Sequence, residues 1–259
     1  MSENAEQLNT SSIDKGCISH SRDRNLQNVL DSRESYSTEP AIPGDVLEEL
    51  LPGDEVIEMS EPKVAGSFWY SFGKRFFDIS SCSLALLVFA IPMCLIALKI
   101  KAESPGPAIY SQRRLGKDGK EFNVHKFRSM YIDAELKGAK WAQGDDPRVT
   151  PFGKIMRKTR LDEIPQFWNV LKGDMSLVGP RPERPVFCKE FEKRIHGWNY
   201  RTLVKPGLSG LAQVTGGYEL LPKDKIKLDL FYIEHRSFAM DFKIILKTIG
   251  VISTGTGAR

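Results

Sequence analysis

The sequence predicts a mixed α/β protein, predominantly helical, with a small β-hairpin, a re-entrant membrane helix-hairpin and interfacial amphipathic helices. Three observations predict it. Residues 79–98 form an apolar run without a single charge. Two short β-prone segments flank a Gly-Lys-Asp-Gly turn at 116–119. Beyond residue 132 the apolar residues recur mainly at helical spacing.

The first 65 residues are rich in Ser, Glu, Asp and Asn and poor in aromatics. Such a segment buries too little apolar surface to offset chain entropy and is expected to be a disordered acidic arm, with at most a short helix around Gly44–Leu51. The formal net charge of +4 is unevenly spread. Up to Lys63 there are 14 acidic and 5 basic residues, net −9, which leaves +13 on the rest. A basic body behind an acidic arm points to anionic partners such as phosphates or acidic lipid. The four cysteines, Cys17, Cys82, Cys94 and Cys188, show no metal-ligand or disulfide spacing, which fits a reducing compartment. Residues 1–30 contain no apolar core of a secretory signal.

Residues 66–101 form the predicted membrane element. Ile79–Leu98 matches the roughly 20 residues that cross a bilayer as a helix. Two features favour a hairpin that enters and leaves by one face over a simple span. Pro92 removes a backbone hydrogen bond two-thirds of the way along. Lys74 and Arg75 precede the run and Lys99 and Lys101 follow it, so neither end is easily translocated.

Residues 102–259 read as a cytosol-facing catalytic domain. Strands at Ala108–Gln112 and Glu121–Lys126 close a hairpin. Helices are expected at Ile132–Lys140, Phe152–Thr159, Pro165–Leu171, Pro185–His196, Lys223–His235 and Met240–Thr254. The last two mix apolar and basic residues, a pattern of surface helices or of helices lying in the lipid interface.

The chemistry concentrates in two strings. In RKTRLDEIPQ (157–166), Pro165 suits the first turn of a helix, which puts Asp162 and Glu163 at its N-terminus. Adjacent carboxylates there serve either as caps or as ligands of Mg²⁺, whose shell substrate phosphates complete. In GDMSLVGPRPERP (173–185), Arg181 stands between Pro180 and Pro182 on a stiff loop, a suitable setting for bidentate phosphate recognition. HKFRSM (125–130) adds Lys126 and Arg128, and KPGLSG (205–210) adds a turn-rich loop with one cation. Basic loops beside an acidic pair fit a metal–diphosphate site. A nucleic-acid groove would want interleaved exposed aromatics, so nucleic acid is not an expected partner.

These strings, in this order, resemble the bacterial sugar transferase family, the monotopic phosphoglycosyl transferases. The resemblance rests on KRFFD (74–78), YSQRRLG (110–116), HKFRSM (125–130), FGKIMRKTRLDEIPQFWNVLKGDMSLVGPRPERP (152–185), VKPGLSGLAQVTG (204–216) and LDLFYIEH (228–235). It implies transfer of a sugar-1-phosphate from a UDP-sugar to undecaprenyl phosphate at the cytoplasmic face of a bacterial inner membrane. Asp162 would be the nucleophile and would release UMP. Glu163 would help to hold Mg²⁺, while Arg157, Arg181 and the weaker match Lys126 would meet the phosphates. The family's helix break is often Ser-Pro, whereas Ile91 precedes Pro92 here. The competing readings are a catalytically silent membrane adaptor and a metal-dependent UDP-sugar diphosphatase. The sequence fixes neither the sugar, nor the polysaccharide pathway, nor whether the chain forms a homo-oligomer.

Overall fold

The computed structural model describes residues 42–132, 134, 146–217 and 220–254. It opens with α1 (Gly44–Leu50) and β1 (Ile57–Glu58). Leu50 and Leu51 enter the largest apolar cluster beside Phe191, Ile195 and Trp198. Arg194 donates to the carbonyls of Leu51 and Gly53, and the Ala65 N–H donates to Ile233 O at 3.0 Å. This moves the expected boundary of the arm: from residue 42 the stretch belongs to the fold. An acidic composition hid one adjacent leucine pair that is enough to anchor it. Residues 1–41 lie outside the described residues.

Helix α2 (Phe68–Glu103) runs for 36 residues, or about 54 Å at the α-helical rise. Ser67 caps its start by accepting from the Tyr70 N–H. The helix carries on through Pro92, where the sequence predicts a turn. Its two ends dock on the same body. Near the start, the Tyr70 hydroxyl and Lys74 ammonium meet one oxygen of Asp241, at 2.8 and 2.7 Å. Arg75 donates to the carbonyls of Val170 and Leu171, Asp78 accepts from the Leu177 N–H, and Cys82 packs with Val124, Val170 and Met175. Near the end, Ile96 and Ile100 pack on Phe127 and Met156, and Glu103 accepts from the Phe152 N–H. Between these docks Leu84, Leu87, Val88, Ile91 and Leu95 are exposed. Each such side chain forgoes about 1.5–3 kcal/mol of burial when left in water, so this strip calls for an apolar partner. By length and composition α2 is long and apolar enough to cross a membrane.

The hairpin follows as β2 (Ile109–Leu115) and β3 (Glu121–Phe127), antiparallel, with Tyr110 opposite Lys126 and Leu115 opposite Glu121. The expected helix 132–140 lies almost wholly outside the described residues. Helix α3 (Pro151–Thr159) starts on a Thr150 cap and Pro151, as its sequence invites. Its third residue, Gly153, has no room for a side chain: a Cβ would stand 2.0 Å from Ser129 O. After a one-turn 3-10 segment (Leu161–Glu163) comes α4 (Gln166–Lys172), then β4 (Ser176–Val178), α5 (Pro185–Arg194), β5 (Ile195–His196) and a second 3-10 segment (Trp198–Leu203). The chain ends with β6 (Gly207–Ser209), α6 (Leu211–Thr215), α7 (Pro222–His235) and α8 (Phe238–Thr254).

Two parallel pairs, β1–β5 and β4–β6, were not expected from the sequence. Strands of two or three residues carry no readable alternation. The β4–β6 pair accounts for the KPGLSG loop: the Gly207 N–H donates to Pro180 O and the Gly179 N–H to Ser209 O. A Cβ on Gly207 would meet Gly179 N at 2.1 Å, so glycine is required for the approach and the loop is structural. Helix α8 buries Asp241 and Ile244 and exposes Phe238, Phe242, Leu246 and Ile249 beside Lys243 and Lys247. That is the layout of an interfacial helix.

Candidate active site

Lys126, Arg157, Asp162, Glu163 and Arg181, all singled out in the sequence, line one cleft of about 400 Å³. Four elements bring them there. Lys126 sits near the end of β3, Arg157 in the last turn of α3, the carboxylates in the 3-10 segment, and Arg181 in the loop after β4. Arg160 makes the junction. It adopts a left-handed conformation (φ 58°, ψ 17°), uncommon for a residue with a side chain, and its N–H caps α3 by donating to Met156 O and Arg157 O. That reversal turns the chain so that Asp162 and Glu163 face the cleft. The sequence expectation placed the two carboxylates at the N-terminus of a helix with Pro165 in its first turn. They occupy the separate 3-10 segment ahead of it, and α4 begins at Gln166.

Both carboxylates are buried but they differ in company. Glu163 Oε1 accepts from Lys126 Nζ at 2.8 Å and from an Arg181 terminal nitrogen at 2.6 Å, and Arg160 lies 4.0 Å from its other oxygen. Burial opposes ionisation of Glu163, but Arg181, Lys126 and Arg160 outweigh it and hold the carboxyl well below the usual range. Asp162 accepts no side-chain hydrogen bond among the described residues. Burial pushes its pKa up and the Glu163 charge adds to this, against the pull of Lys126, Arg157 and Arg181. Arg157 is aimed by a 2.9 Å bond from its Nε to Ser129 Oγ.

Arg128 lines the cleft but has structural work, donating to Ser104 O and Pro105 O where the chain leaves α2. The Arg181 loop is held from behind. Arg201 donates to Arg181 O at 2.8 Å and to Asp229 Oδ2 at 2.6 Å, and its guanidinium lies 4.5 Å over the Trp198 ring. Glu183 is paired with Lys225, Arg114 and Arg201, which overcome its burial and hold its pKa at about 2.

Sequence reasoning missed other lining residues: Tyr110, Gln112 and Arg114 on β2, Arg148, Arg160 and Gln213. The alternation in YSQRRLG was a usable signal, because residues two apart share a strand face. Arg148, fastened to Asp146, and Gln213, on a five-residue helix, carried none.

Among the described residues no group of three or more His, Cys, Asp or Glu side chains forms a cation site. Among the described residues of the cleft, Glu183 is taken up by Lys225, Arg114 and Arg201, which leaves Asp162 and Glu163 as the carboxylates for a divalent ion. This donor set does not fit a closed protein cage, but it does fit Mg²⁺ shared with substrate phosphates.

A family model described as "Bacterial sugar transferase" matches residues 69–255. The chain is 48% identical over 193 residues to the UDP-N-acetylgalactosamine-undecaprenyl-phosphate N-acetylgalactosaminephosphotransferase of Aeromonas hydrophila, covering 73% of this chain and 46% of the relative. It is 43% identical over 182 residues to the UDP-glucose:undecaprenyl-phosphate glucose-1-phosphate transferase of Escherichia coli (strain K12), covering 68% and 39%. It is 54% identical over 129 residues to a putative undecaprenyl-phosphate N-acetylgalactosaminyl 1-phosphate transferase of Bacillus subtilis (strain 168), covering 49% and 72%. The chain thus matches less than half the length of the first two.

Proposed function

This chain belongs to the bacterial sugar transferase family, and we propose that it moves a sugar-1-phosphate from a UDP-sugar to undecaprenyl phosphate through a covalent intermediate on Asp162. The observation that carries this reading is the contrast within the acidic pair. Glu163 is held by two cations on one oxygen, a poor state for attack, whereas Asp162 is buried, carries a raised pKa and has no hydrogen bond to its carboxylate among the described residues. A desolvated, unencumbered carboxylate is the better nucleophile.

In the first step an Asp162 oxygen attacks the β-phosphorus. A carboxyl O–P bond forms, the P–O bond to the α-phosphate breaks, and UMP leaves. In the second step an oxygen of undecaprenyl phosphate attacks the same phosphorus, and the Asp162 carboxylate is released. Lys126, Arg157 and Arg181 neutralise charge on the transferring group, and Glu163 with Asp162 would hold Mg²⁺, which when bound supplies Lewis-acid stabilisation of the phosphates. The in-line transfer of a phosphoryl group asks mostly for positioning and charge of this kind.

The same reading places the cleft beside the lipid. Both ends of α2 dock on the catalytic body while its middle presents exposed leucines, Val88 and Ile91, which supports an element whose two ends share one face of the membrane. Basic flanks put that body, with α8 in the interface, at the cytoplasmic face of a bacterial inner membrane. The test is the donor-only reaction. With labelled UDP-sugar, Mg²⁺ and no lipid, the protein should release about one UMP per site by the stoichiometry of covalent catalysis. It should also retain a hydroxylamine-labile phosphosugar on the peptide containing Asp162. Transfer only when donor and acceptor are both present, with no adduct, would reassign Asp162 as a metal ligand or base.

A further inference from the structure

The cleft has an apolar edge that the transfer steps leave unused. Pro107, Ile109, Tyr131 and Ile132 line it together with the charged groups. Ile132 is 68% exposed, Tyr131 41% and Ile109 39%, and Pro107 is exposed as well. Contacts around Arg128 bring these residues to one place, where the chain leaves α2. Arg128 donates from its side chain to Ser104 O and Pro105 O, and from its N–H to Ala108 O at 2.8 Å. The stretch after α2 therefore runs alongside the HKFRSMYI string (125–132). A Cβ on Gly106 would lie 3.0 Å from Ile132 Cδ1, so the Ile132 side chain rests against that stretch, one residue from Pro107. Ile109 stands opposite Phe127 in the hairpin, and the Tyr131 N–H is fixed on Arg148 O at 3.0 Å. The same string carries charge at its other end. Lys126 precedes Ile132 by six residues, at most about 20 Å of extended chain, and Ser129 between them aims Arg157.

Exposed apolar side chains inside a concave site mark a ligand surface. We infer that Pro107, Ile109, Tyr131 and Ile132 seat the first isoprene units of the lipid acceptor, which enters the cleft from the end of α2 with its phosphate toward Lys126 and Arg157. The inference rests on the transfer reading above and names the part of the acceptor that this reading left without a site. The chemistry of the reactants favours this occupant. A sugar and a nucleotide carry polar groups around their rims, and these would lose water against this edge without gaining partners. A polyprenyl phosphate is the one reactant in which an apolar chain is joined directly to the reacting phosphate. The cleft has the matching order, with cations at one end of a single string and aliphatic side chains at the other. The apolar end also lies where the chain leaves the membrane element, four residues past Glu103, so the lipid tail need not cross the charged wall to reach it.

The experiment is transfer by the detergent-solubilised full chain, using the UDP-sugar that the wild type turns over and either undecaprenyl phosphate or farnesyl phosphate. Farnesyl phosphate carries only three isoprene units, and it should either accept the phosphosugar or compete with the longer lipid. Ile132→Ser should raise the KM, or the inhibition constant, of both lipids by about tenfold, the scale of burying an isoleucine side chain. Its KM for the UDP-sugar should not change. Because Ile132 is exposed, the serine variant should melt with the wild type. Ile109→Thr keeps the β-branch that suits a strand and should raise the same lipid constants less, by about threefold. Lipid constants unchanged in both variants would overturn the inference, as would farnesyl phosphate that neither accepts nor competes. So would an effect on undecaprenyl phosphate alone, which would give the edge to the bilayer, or a raised KM for the UDP-sugar alone, which would give it to the donor. A wild type that transfers without a donor-only burst would overturn the Asp162 intermediate and leave the lipid constants to decide the seat. A wild type that transfers to neither lipid would overturn the transfer reading, and the seat with it.

Discussion

Two clusters of buried charge adjoin at the Arg181 loop, and their carboxylates are held differently. In the cleft, Asp162 and Glu163 meet Lys126, Arg157, Arg160 and Arg181. Beside it, with Glu183, Arg114 and Lys225 also on the cleft wall, Glu183 and Asp229 meet Arg114, Arg201 and Lys225. Titration alone does not separate them. Each has one carboxyl held low by cations, Glu163 and Glu183, and one pushed up chiefly by burial, Asp162 and Asp229. What separates them is how the second carboxylate is held. Arg201 and Asp229 are 4% and 1% exposed and bonded to each other, whereas Lys126 and Arg181 are 24% and 18% exposed at the cleft wall. In the second cluster both carboxylates are paired with cations, and Arg201 also holds the Arg181 carbonyl. The first cluster has one carboxylate, Asp162, with no side-chain donor among the described residues. A perturbed carboxyl is common to both clusters, and what marks the candidate site is a carboxylate that no side chain has claimed.

The largest effects should come from breaking this division. Asp162→Asn should lower transfer by at least about 10⁴-fold, the scale seen when a covalent nucleophile is removed. It should not cost stability. The folded pKa of Asp162 lies above its unfolded value, so at neutral pH its charge disfavours the fold, and the amide should melt at the same temperature or higher. Glu183→Gln should behave in the reverse way. A pKa of about 2 against an ordinary 4.5 corresponds to roughly 3 kcal/mol of stability at neutral pH. That contribution is complete above the unfolded pKa and fades as the pH falls toward about 2. Chemical denaturation should show the loss, while the rate per folded molecule falls far less than in Asp162→Asn. Equal damage to rate by both substitutions would erase the distinction between the clusters.

Much of the site was legible because its residues lie in compact strings with strong local rules. Proline fixes the Arg181 loop, and Pro151 and Thr150 start α3 where the pattern says it starts. The hairpin came from a glycine-rich turn between β-prone runs and differs from expectation by a few residues at its ends. What was not legible depends on long-range partners. Nothing near Arg201 in the chain announces that it reaches both Arg181 O and Asp229. KRFFD reads as a basic flank of a membrane run, yet its Lys74, Arg75 and Asp78 work as bolts to Asp241, α4 and β4. The left-handed Arg160 is likewise invisible, since arginine has no preference for that conformation and only the packed turn imposes it.

The smallest effect is the most discriminating. In the proposed mechanism Asp162 attacks only as the carboxylate, so donor-only adduct formation should fail on the acid side as the pH falls through its folded pKa. Burial and the neighbouring Glu163 charge raise that pKa above the ordinary aspartate value, so the acid limb of the single-turnover rate should lie above it too. Glu163→Gln removes the like charge and also releases Lys126 and Arg181 from their shared oxygen. Both changes favour ionised Asp162, so whatever rate the variant retains should have its acid limb at lower pH than the wild type. Stability would not imitate this. Glu163 is held well below its unfolded pKa, so losing its charge weakens the fold above that unfolded value and would, if anything, raise the pH at which activity is lost. A limb that moves down therefore reports on Asp162 alone. A limb that stays in place would mean that the group titrating in the rate is not the carboxylate beside Glu163, and the nucleophile would have to be sought elsewhere in the cleft.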